Sequence, residues 1–431
     1  MSWVLVKDVK DYNDREVTLK GWVYNKRSSG KIWFLILRDG TGIIQGVVLK
    51  NEVSEEVFNK KDELSQESSI IVKGLIHEDK RSPGGYEIVV KDLEVVQIAN
   101  DYPIALKDHG VEFLMDNRHL WLRSSKQWAI LRIRHTVYYA ITEYLNQNAF
   151  VRFDSPLLTP NACEGTTTLF TVPYFDLGNA YLSQSGQLYL EAGIMSLGRV
   201  YDFGPVFRAE KSKTRKHLTE FWMMDAEAAF VEHDENLKIQ EELIRFVIRS
   251  VLEKNAMELE ILERDVEKLK KADAPFRRMT HREAVEYLRS KGSKIGNEND
   301  LGAKDEVMLT EDSDVPIFVE KWPKEIKAFY MKRDKDNPDL VLGADLIAPE
   351  GFGEIIGGSQ REDDHDLLYQ RMVAEDMPLD EYQWFLDLRK YGSVPHSGFG
   401  VGLERLVQWM SGVVQIREAI PFARTIYRLR P

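Results

Sequence analysis

The first hundred residues contain five short runs rich in β-branched and aromatic residues, separated by glycines or charged turns. In order they are "REVTLKGWVYNKR", "KIWFLILRD", "GIIQGVVLK", "SSIIVKGLIHED" and "GGYEIVVKDLEVVQI". A polar stretch compatible with a helix, "NEVSEEVFNKKDEL", lies between the third and the fourth. Three strands, a helix and two strands are the order of an OB barrel, a five-stranded fold that commonly binds oligonucleotides. The pattern therefore predicts such a barrel over residues 1–100.

The rest of the chain predicts a larger α+β domain over residues 126–431, after a hinge of weak periodicity over residues 101–125. Apolar residues recur at helical spacing in "SSKQWAILRIRHTVYYAITEYLNQNAF" and "DENLKIQEELIRFVIRSVLEKN". A third helix, "THREAVEYLRSKG", opens with the capping box of Thr280 and Glu283. Strand-like runs follow in "DVPIFVEKW", "IKAFYMKR", "FGEIIGG" and "SGFGVGLERL". Because strands and helices do not alternate regularly, an antiparallel sheet flanked by helices is expected rather than a doubly wound one.

Composition excludes several classes of protein. With 70 acidic against 58 basic residues the net charge is −12, which argues against a broadly basic nucleic-acid coat but not against a local site for a polyanion. No window approaches the roughly 20 apolar residues that span a bilayer, and the N-terminus lacks the apolar core of a signal peptide. A single cysteine, Cys163, excludes an intrachain disulfide framework and a cysteine-based zinc site. We expect a soluble, cytoplasmic protein without a membrane partner.

A cluster of cationic residues stands out in this acidic chain, within "FRAEKSKTRKHLTEFWMMDAE" at residues 207–227. Two strand-like flanks, "RVYDFGPVFRAE" and "LTEFWMMDAEAAF", are joined by a polar loop and predict a long hairpin. Alternate residues of a strand share a face, so Arg208 and Glu210 are expected to project together into a cleft. An arginine binds carboxylate or phosphate bidentately, and Phe221 offers a face for a base. Taken alone, the pattern also fits a solvated hairpin with surface ion pairs.

A glycine-rich segment near the C-terminus, "SGFGVGLERLVQWMSG", favours the ligand-binding interpretation. Four small residues in six precede Glu404 and Arg405, which open an amphipathic helix. Glycines allow the backbone to approach a ligand closely, and an arginine at a helix start can face a phosphate. Together with "FRAE" and "HLTEF" upstream, this segment indicates a nucleotide site.

These segments resemble the three motifs of the class II aminoacyl-tRNA synthetases. "FRAEKSKTRKHLTEFWMMDAE" is similar to motif 2, "GVGLERL" to motif 3, and the helix leading to "FDSPLLTP", with Pro156, to motif 1. A barrel followed by this core is similar to the subgroup for aspartate, asparagine and lysine, and the resemblance spans essentially the whole chain. It implies an OB-fold anticodon-binding domain, a catalytic domain with an insertion at about residues 258–340, and a homodimer formed through motif 1. It also implies ATP-dependent activation of an amino acid and transfer to a tRNA.

The resemblance further implies roles for residues of motifs 2 and 3, and Arg208, Glu210 and Arg405 would be catalytic. Arg208 would bridge the amino-acid carboxylate and the α-phosphate of ATP, while Glu210 would recognise the adenine amino group. Phe221 would stack on the adenine, and Arg405 would lie near the γ-phosphate. The remaining implied ATP contacts are Ala209, Lys216, His217, Leu218, Glu354, Gly402, Leu403 and Glu404, with Arg215 as an alternative to Lys216.

Two carboxylates are the implied ligands of Mg²⁺, namely Glu354 together with Asp345. Mg²⁺ is a hard cation that prefers oxygen ligands. ATP and Mg²⁺ are therefore the expected cofactors.

Two segments bear on the choice of amino acid, "NACEGTTTLF" and "SQSGQLYLEA". By resemblance, Glu164 in the first would recognise the α-amino group, and the second would line the side-chain pocket. Aspartate enzymes carry a lysine after "QLY", whereas this chain has Leu190 followed by Glu191. A buried substrate carboxylate would lack a partner there, but an amide would donate to Glu191 and accept from Arg361, with Gln187 behind. The implied amino-acid contacts are Glu164, Ser185, Gln187, Leu190, Glu191, Arg208 and Arg361.

"SGQLYLEA", "GEIIGGSQRED" and "PHSGFGVGLERL" together resemble the asparagine-specific, archaeal-type members of the subgroup, which implies L-asparagine, ATP and tRNA(Asn) as substrates. One alternative is an aspartate-specific member, including one that charges both tRNAs. Another is a synthetase-like paralogue that forms asparagine without tRNA, which would be expected to lack the barrel. A third, a non-catalytic nucleic-acid-binding module, is disfavoured because the motif residues are present.

The barrel is expected to bind the anticodon. Phe34 and Gln45 resemble the pair that stacks on and hydrogen-bonds the central anticodon uridine in this subgroup, and Arg27 is the third implied contact. Proteins read unpaired RNA bases by stacking and edge contacts. The alternative for Phe34 is a place in the barrel core, because every strand hides alternate residues.

Overall fold

The structure is a computed structural model that describes residues 3–163, 168–212 and 216–431. It divides into two compact units, Met1–Leu114 and Met115–Pro431. The division falls inside the stretch that the sequence analysis assigned to a hinge.

The first unit is a closed five-stranded barrel, which confirms the predicted OB fold. Its elements are β1 (Glu16–Ser29), β2 (Ile32–Arg38), β3 (Ile43–Leu49), α1 (Glu55–Glu63), β4 (Ser69–Glu78) and β5 (Tyr86–Gln97). The strands close in the order β1-β2-β3-β5-β4, and β3 pairs parallel with β5 while the other pairs are antiparallel. Along β2 the side chains of Trp33, Leu35 and Leu37 are buried in the barrel, so the residues between them face outwards.

The second unit is an α+β domain built on an eight-stranded sheet. Its helices are α2 (Val111–Asp116, which begins before the division), α3 (Arg118–Trp121), α4 (Ser125–Gln147), α5 (Gln187–Leu197), α6 (His233–Lys254), α7 (Ala256–Ile261), α8 (Val266–Ala272), α9 (His281–Ser290), α10 (Ala303–Thr310), α11 (His365–Ala374), α12 (Gln383–Lys390) and α13 (Leu403–Ser411). Its strands are β6 (Val151–Arg152), β7 (Leu158–Thr159), β8 (Thr171–Pro173), β9 (Asn179–Leu182), β10 (Arg199–Phe207), β11 (Glu220–Ala229), β12 (Arg277–Thr280), β13 (Ile317–Pro323), β14 (Leu340–Ala348), β15 (Gly353–Gln360) and β16 (His396–Gly402).

The large sheet has the order β12-β13-β14-β15-β16-β11-β10-β6. Its pairs are antiparallel except β12 with β13 and β6 with β10, and β7, β9 and β8 form a separate small sheet. The predicted antiparallel core is therefore confirmed. The capping box of Thr280 and Glu283 also forms, at the start of α9.

The two faces of the large sheet differ. Helices α4, α6 and α13 pack through apolar side chains into one core with the sheet. Strand β16 shows how the faces are divided, because Phe399 and Val401 belong to that core while Gly400 and Gly402 line a cavity on the opposite face. Side chains alternate along a strand, so glycines at every second position leave room for a ligand directly above the sheet.

Three details of the sequence analysis are wrong. Strand β10 ends at Phe207, so Arg208 and Glu210 lie in the connection beyond it and do not share a strand face. "IKAFYMKR" forms no strand, because Phe329 and Tyr330 pack instead into an apolar cluster with α11 and α12. Strand β14 was not predicted at all. The segment that the sequence analysis assigned to an insertion supplies β12 and β13 to the large sheet.

No helix within the described parts of the chain is long and apolar enough to cross a membrane.

Candidate active site

A cavity of about 1160 Å³ lies over the glycine-bearing face of the large sheet. Side chains from the β10–β11 hairpin, from β14, β15 and β16, and from the start of α5 line it. Fourteen residues that the sequence analysis selected line it together: Ser185, Gln187, Arg208, Glu210, Lys216, His217, Leu218, Phe221, Asp345, Glu354, Arg361, Gly402, Glu404 and Arg405. Residues more than 200 positions apart in the chain are thus brought into one site.

Arg208 and Phe221 form the centre of the cavity wall. The Arg208 guanidinium lies over the Phe221 ring, 5.5 Å from its centroid, in cation–π geometry. The backbone N–H of Arg208 donates to the carbonyl of Thr219 at 3.0 Å, and its Nη1 donates to the carbonyls of Gln184 and Phe207. These contacts fix a positive charge and an aromatic face side by side.

Glu210 and His217 form a polar recess beside this pair. Both carboxylate oxygens of Glu210 and the Nε2 atom of His217 are buried, and none of the residues that the structure describes hydrogen-bonds to them. Burial lowers the pKa of His217, against the opposing effect of the Glu210 charge. An unpaired buried carboxylate is costly, so this recess fits a ligand that donates hydrogen bonds, such as an exocyclic amine. Ala209, between Arg208 and Glu210, is not among the lining residues.

Lys216 and Arg405 provide positive charge at the other end of the cavity. Lys216 Nζ donates to the carbonyl of Gly351 at 2.9 Å and lies 3.8 Å from Glu306, and burial lowers its pKa. Arg405 Nη1 donates to the backbone carbonyl of Glu354 at 2.7 Å and to its carboxylate at 3.2 Å. Glu306 was missed by the sequence analysis, because it belongs to α10 in the segment that was set aside as an insertion.

The two proposed metal ligands face each other across Gly357. A Cβ atom on Gly357 would lie 3.3 Å from Glu354 Oε1 and 3.8 Å from Asp345 Oδ1. Burial and the neighbouring Glu354 charge raise the pKa of Asp345 to about 7, although Lys327 Nζ lies 2.6 Å from its carboxylate. The described residues contain no group of three or more potential ligands. Two carboxylates fit Mg²⁺, which usually takes its other ligands from waters and phosphates.

At the end of the cavity away from Lys216 and Arg405, the amide of Gln187 is oriented by Glu191. Gln187 Nε2 donates to Glu191 Oε1 at 3.1 Å, and Glu191 Oε2 accepts from Arg389 at 2.5 Å and from His396 at 3.1 Å. Burial raises the pKa of Glu191, but Arg389 and His396 outweigh it and hold the pKa at about 2. The sequence analysis placed Glu191 against the substrate with Gln187 behind it. The structure has the reverse order, with Gln187 at the cavity and Glu191 fully buried.

Leu190 does not reach the cavity either. It is fully buried in an apolar cluster with Ile194 and Val200. Positions four apart share a face of a helix, and Leu190 and Ile194 pack together against Val200 of β10. Glu164 and Arg215 lie outside the described residues, so the structure places neither.

Arg361 closes this end of the cavity, and its charge is matched by a residue that the sequence analysis missed, Glu227. Arg361 Nε donates to both carboxylate oxygens of Glu227, at 3.0 and 3.3 Å, and Nη2 donates to Oε1. Nη1 donates to Ser359 Oγ at 2.7 Å, and the two charged side chains are only 4% and 1% exposed. Burial raises the pKa of Glu227 to about 8, although the charge and hydrogen bonds of Arg361 oppose the shift. Because the guanidinium keeps its proton and donates three hydrogen bonds to this carboxylate, the geometry favours the ion pair.

The start of α13 is joined to the other elements of the site by Glu404. Its carboxylate lies 2.7 Å from Arg134 of α4 and accepts from the backbone N–H of Trp222 on β11 at 3.0 Å. Burial raises its pKa and Arg134 opposes the shift. Leu403 belongs to the apolar core.

Residues 110–426 match the family model of class II tRNA synthetases (D, K and N), which covers most of the chain. The chain belongs to this family. Residues 17–96 match a second model, that of OB-fold nucleic acid binding domains.

Other class II synthetases are similar over the whole length of the chain. It is 54% identical to an asparagine–tRNA ligase of Pelotomaculum thermopropionicum and 53% identical to one of Desulforamulus reducens, with all of each chain covered. Among solved structures, asparaginyl-tRNA synthetase from Pyrococcus horikoshii complexed with asparaginyl-adenylate has a TM-score of 0.96 and 47% identity, again over all of both chains. Aspartyl tRNA synthetase from Entamoeba histolytica has a TM-score of 0.83 and 28% identity, over 100% of this chain and 93% of its own.

In this class II synthetase the three barrel residues that were predicted to contact the anticodon lie on the outer surface of the barrel. Phe34 lies outside the core, which contains its neighbour Trp33, and the Arg27 guanidinium is 4.6 Å from the centre of its ring. Gln45 on β3 donates to Ser82 Oγ at 3.2 Å and to Glu87 at 3.1 Å. The strand register pairs Phe34 with Arg27 on β1 and with Val47 on β3, and Val47 is two residues from Gln45. The side chains of Arg27, Phe34 and Gln45 therefore share one face of the barrel.

Proposed function

We propose that the chain is an asparagine–tRNA ligase. It activates L-asparagine with ATP to give asparaginyl-adenylate and pyrophosphate, then transfers the asparaginyl group to the 3′ end of tRNA(Asn) and releases AMP. The observation that carries the choice of amino acid is the buried pair of Arg361 and Glu227. The identity to asparagine–tRNA ligases supports the same choice.

The charge balance at this end of the cavity favours an amide over a carboxylate. Arg361 is matched by Glu227, and Glu191 is paired with Arg389 and hydrogen-bonded to His396, so each arginine already has a carboxylate partner. A substrate carboxylate would be buried near two acidic groups without a cation of its own, at a cost of several kcal/mol. A neutral amide avoids that cost. Its oxygen accepts from Arg361, while Gln187, whose Nε2 is committed to Glu191, presents its oxygen to a donor on the amino acid.

Activation is an in-line attack of the amino-acid carboxylate on the α-phosphate of ATP, and the phosphorus–oxygen bond to pyrophosphate breaks. Arg208 lies at the centre of the cavity, where its guanidinium neutralises both reacting anions and the charge that develops between them. Phe221 and Glu210 hold the adenine by stacking and by accepting from its amino group. Lys216 and Arg405 bind the outer phosphates and orient pyrophosphate as the leaving group.

Asp345 and Glu354 would hold Mg²⁺, which when bound supplies positive charge to the phosphate oxygens. Lys327 Nζ, 2.6 Å from Asp345 Oδ2, keeps that carboxylate in place, while Oδ1 is the oxygen nearest Gly357. The fit rests on the two facing oxygens across Gly357.

We also infer that two copies associate through α4 and the segment that follows it. Several apolar side chains are more than 40% exposed there: Tyr139, Val151, Leu157 and Leu158. The outward face of the barrel with Arg27, Phe34 and Gln45 binds the anticodon, since an aromatic face beside a cation suits an unpaired base.

The proposal is tested by ATP-dependent charging of tRNA(Asn) with labelled asparagine. The Arg208→Ala variant is expected to lose about 10²–10³-fold in rate, the usual loss when a preorganised charge at a reacting centre is removed. Lys211→Ala is a matched control, because Lys211 is an exposed cation three residues along the same connection. It should remain within about twofold of the parent rate, since an exposed charge contributes little. An Arg208→Ala variant that keeps its fold and charges tRNA normally would contradict the proposed role.

A further inference from the structure

Two aspartates on neighbouring strands converge on one glycine at the start of α5. Asp202 on β10 lies directly opposite Asp225 on β11 in the strand register. Asp225 Oδ2 accepts from the hydroxyl of Ser185 at 2.8 Å and from the backbone N–H of Gly186 at 3.0 Å. Asp202 reaches the same residue, since a Cβ atom on Gly186 would lie only 1.7 Å from Asp202 Oδ2. Position 186 therefore has to be glycine while Asp202 occupies this place.

The turn of Ser185, Gly186 and Gln187 separates two cavities. Ser185, Gln187 and Asp225 line the cavity described above. Gly186 and Asp202 line a smaller cavity of about 290 Å³, together with Ser155, whose hydroxyl donates to the carbonyl of Gly186 at 3.3 Å. Asp202 thus supports the turn from the side opposite to the bound amino acid.

Two carboxylates that meet at one residue are not both ionised without a large cost, so one of them retains a proton. Asp225 accepts two hydrogen bonds and is the better-stabilised anion. Burial and the Asp225 charge raise the pKa of Asp202 to about 8.

The other charged and titratable groups around Asp202 do not relieve this repulsion. Asp154 adds a further negative charge, and Arg152 on β6, 2.8 Å from Asp154, is matched by it. Tyr138 of α4 lines the smaller cavity with them. The described residues that line this cavity come from β6, β11 and α4 as well as from β10. None of them supplies an unmatched cation to Asp202.

We propose that Asp202 is a positioning residue for the amino-acid site, which in its protonated form holds the Ser185–Gln187 turn in the geometry that receives the amino acid. The inference rests on the proposed function, because that function places the amino acid against this turn. When Asp202 loses its proton, a second negative charge stands against Asp225, the turn loosens, and the amino acid binds less tightly. The proposed function places ATP against Glu210, Phe221 and Arg405 rather than against this turn, so ATP binding is expected to be unaffected.

The experiment is ATP–pyrophosphate exchange from pH 6.5 to 9.5, with KM measured for asparagine and for ATP. Asp202→Ala removes the hydrogen bond between Asp202 and Ser155, whose hydroxyl also contacts the carbonyl of Gly186. It should raise KM for asparagine about tenfold at pH 7, the usual worth of a buried hydrogen bond, and leave KM for ATP within about twofold. Asp202→Asn, which mimics the protonated acid, should recover most of that loss. Asp314→Asn is the matched control, because its carboxylate is 62% exposed, lines neither cavity and should be replaceable without effect.

The pH dependence separates positioning from a purely structural role. The α-amino group of asparagine also titrates in this range, but it does so equally for both enzymes. The ratio of the KM of the parent enzyme to that of Asp202→Asn should therefore rise as pH passes through about 8. A constant ratio would overturn the proposal, as would equal changes in both KM values with Asp202→Ala. If the parent enzyme exchanged with aspartate instead of asparagine, the proposed function would fail, and the same ratio measured with aspartate would still test Asp202.

Discussion

Replacing Glu191 by glutamine tests how the amino-acid site is held together. Glu191 and Arg389 form an ion pair in which both side chains are fully buried, and His396 donates to the same carboxylate oxygen. Glutamine keeps the size of the side chain but removes the charge, so Arg389 is left as a buried cation without its partner. It also removes the fixed acceptor for Gln187, since an amide at position 191 can turn either its oxygen or its nitrogen towards that side chain.

The size of the effect follows from the buried ion pair. Breaking such a pair by removing one partner costs about 3–5 kcal/mol. The lowered pKa of Glu191 has the same sign, because Arg389 and His396 stabilise its charged form in the folded protein. We therefore expect Glu191→Gln to lower the free energy of unfolding by about 3 kcal/mol and to raise KM for asparagine about tenfold.

The stability is measured by urea unfolding followed by near-ultraviolet circular dichroism, and KM by ATP–pyrophosphate exchange. Glu235→Gln is the control, because Glu235 pairs with Arg199 at 3.4 Å on the surface, where its side chain is 51% exposed. A surface pair contributes about 0–1 kcal/mol, so this variant should unfold close to the parent.

The pH dependence gives a second check, with a definite sign. The folded-state pKa of Glu191 lies below its ordinary value, so the stabilisation is complete above pH 4.5 and is lost as pH falls towards about 2. The difference between the parent and Glu191→Gln should be constant from pH 8 to 5 and shrink below 4.5. A loss of stability no larger than that of Glu235→Gln, or an unchanged KM for asparagine, would refute the reasoning.

Two further predictions concern the amino acid and the tRNA. Glu227→Gln leaves Arg361 with an unmatched charge, so discrimination against aspartate in ATP–pyrophosphate exchange should fall by at least about tenfold; unchanged discrimination would mean that the pair does not set specificity. Phe34→Ala removes an exposed stacking face worth about 1–3 kcal/mol, so KM for tRNA in the charging reaction should rise about tenfold or more while asparagine-dependent exchange stays at the parent rate. Equal losses in both assays would instead indicate that Phe34 serves the stability of the barrel.

Local patterns predicted the fold well where each element carries its own signal. The barrel strands alternate buried and half-buried residues, as along β2, and "THREAVEYLRSKG" contains both its cap and its apolar face. The pattern was misleading for "IKAFYMKR", whose aromatic residues suit a strand but are buried in a cluster formed by distant helices. Strand β14 is buried between β13 and β15, so its apolar run lacks a clear alternation.

The site was predicted less completely than the fold, because its geometry depends on distant pairs. Helical spacing showed that Gln187 and Glu191 share a face, but only the packing of α12 and β16, which supply Arg389 and His396, shows which of them is buried. Arg361 and Glu227 are 134 residues apart, and nothing local to either one indicates the other. The motif residues were identified through the family resemblance, whereas the partners that set their charge required the structure.

The central claim is tested most directly by ATP–pyrophosphate exchange with asparagine and aspartate compared side by side, first without tRNA and then with it. Because Arg361 is already paired with Glu227, we expect kcat/KM for asparagine to exceed that for aspartate by at least about 100-fold. This ratio corresponds to about 3 kcal/mol in transition-state binding. Exchange with aspartate at an equal or higher rate would contradict the account, because Arg361 would then be binding a substrate carboxylate despite Glu227.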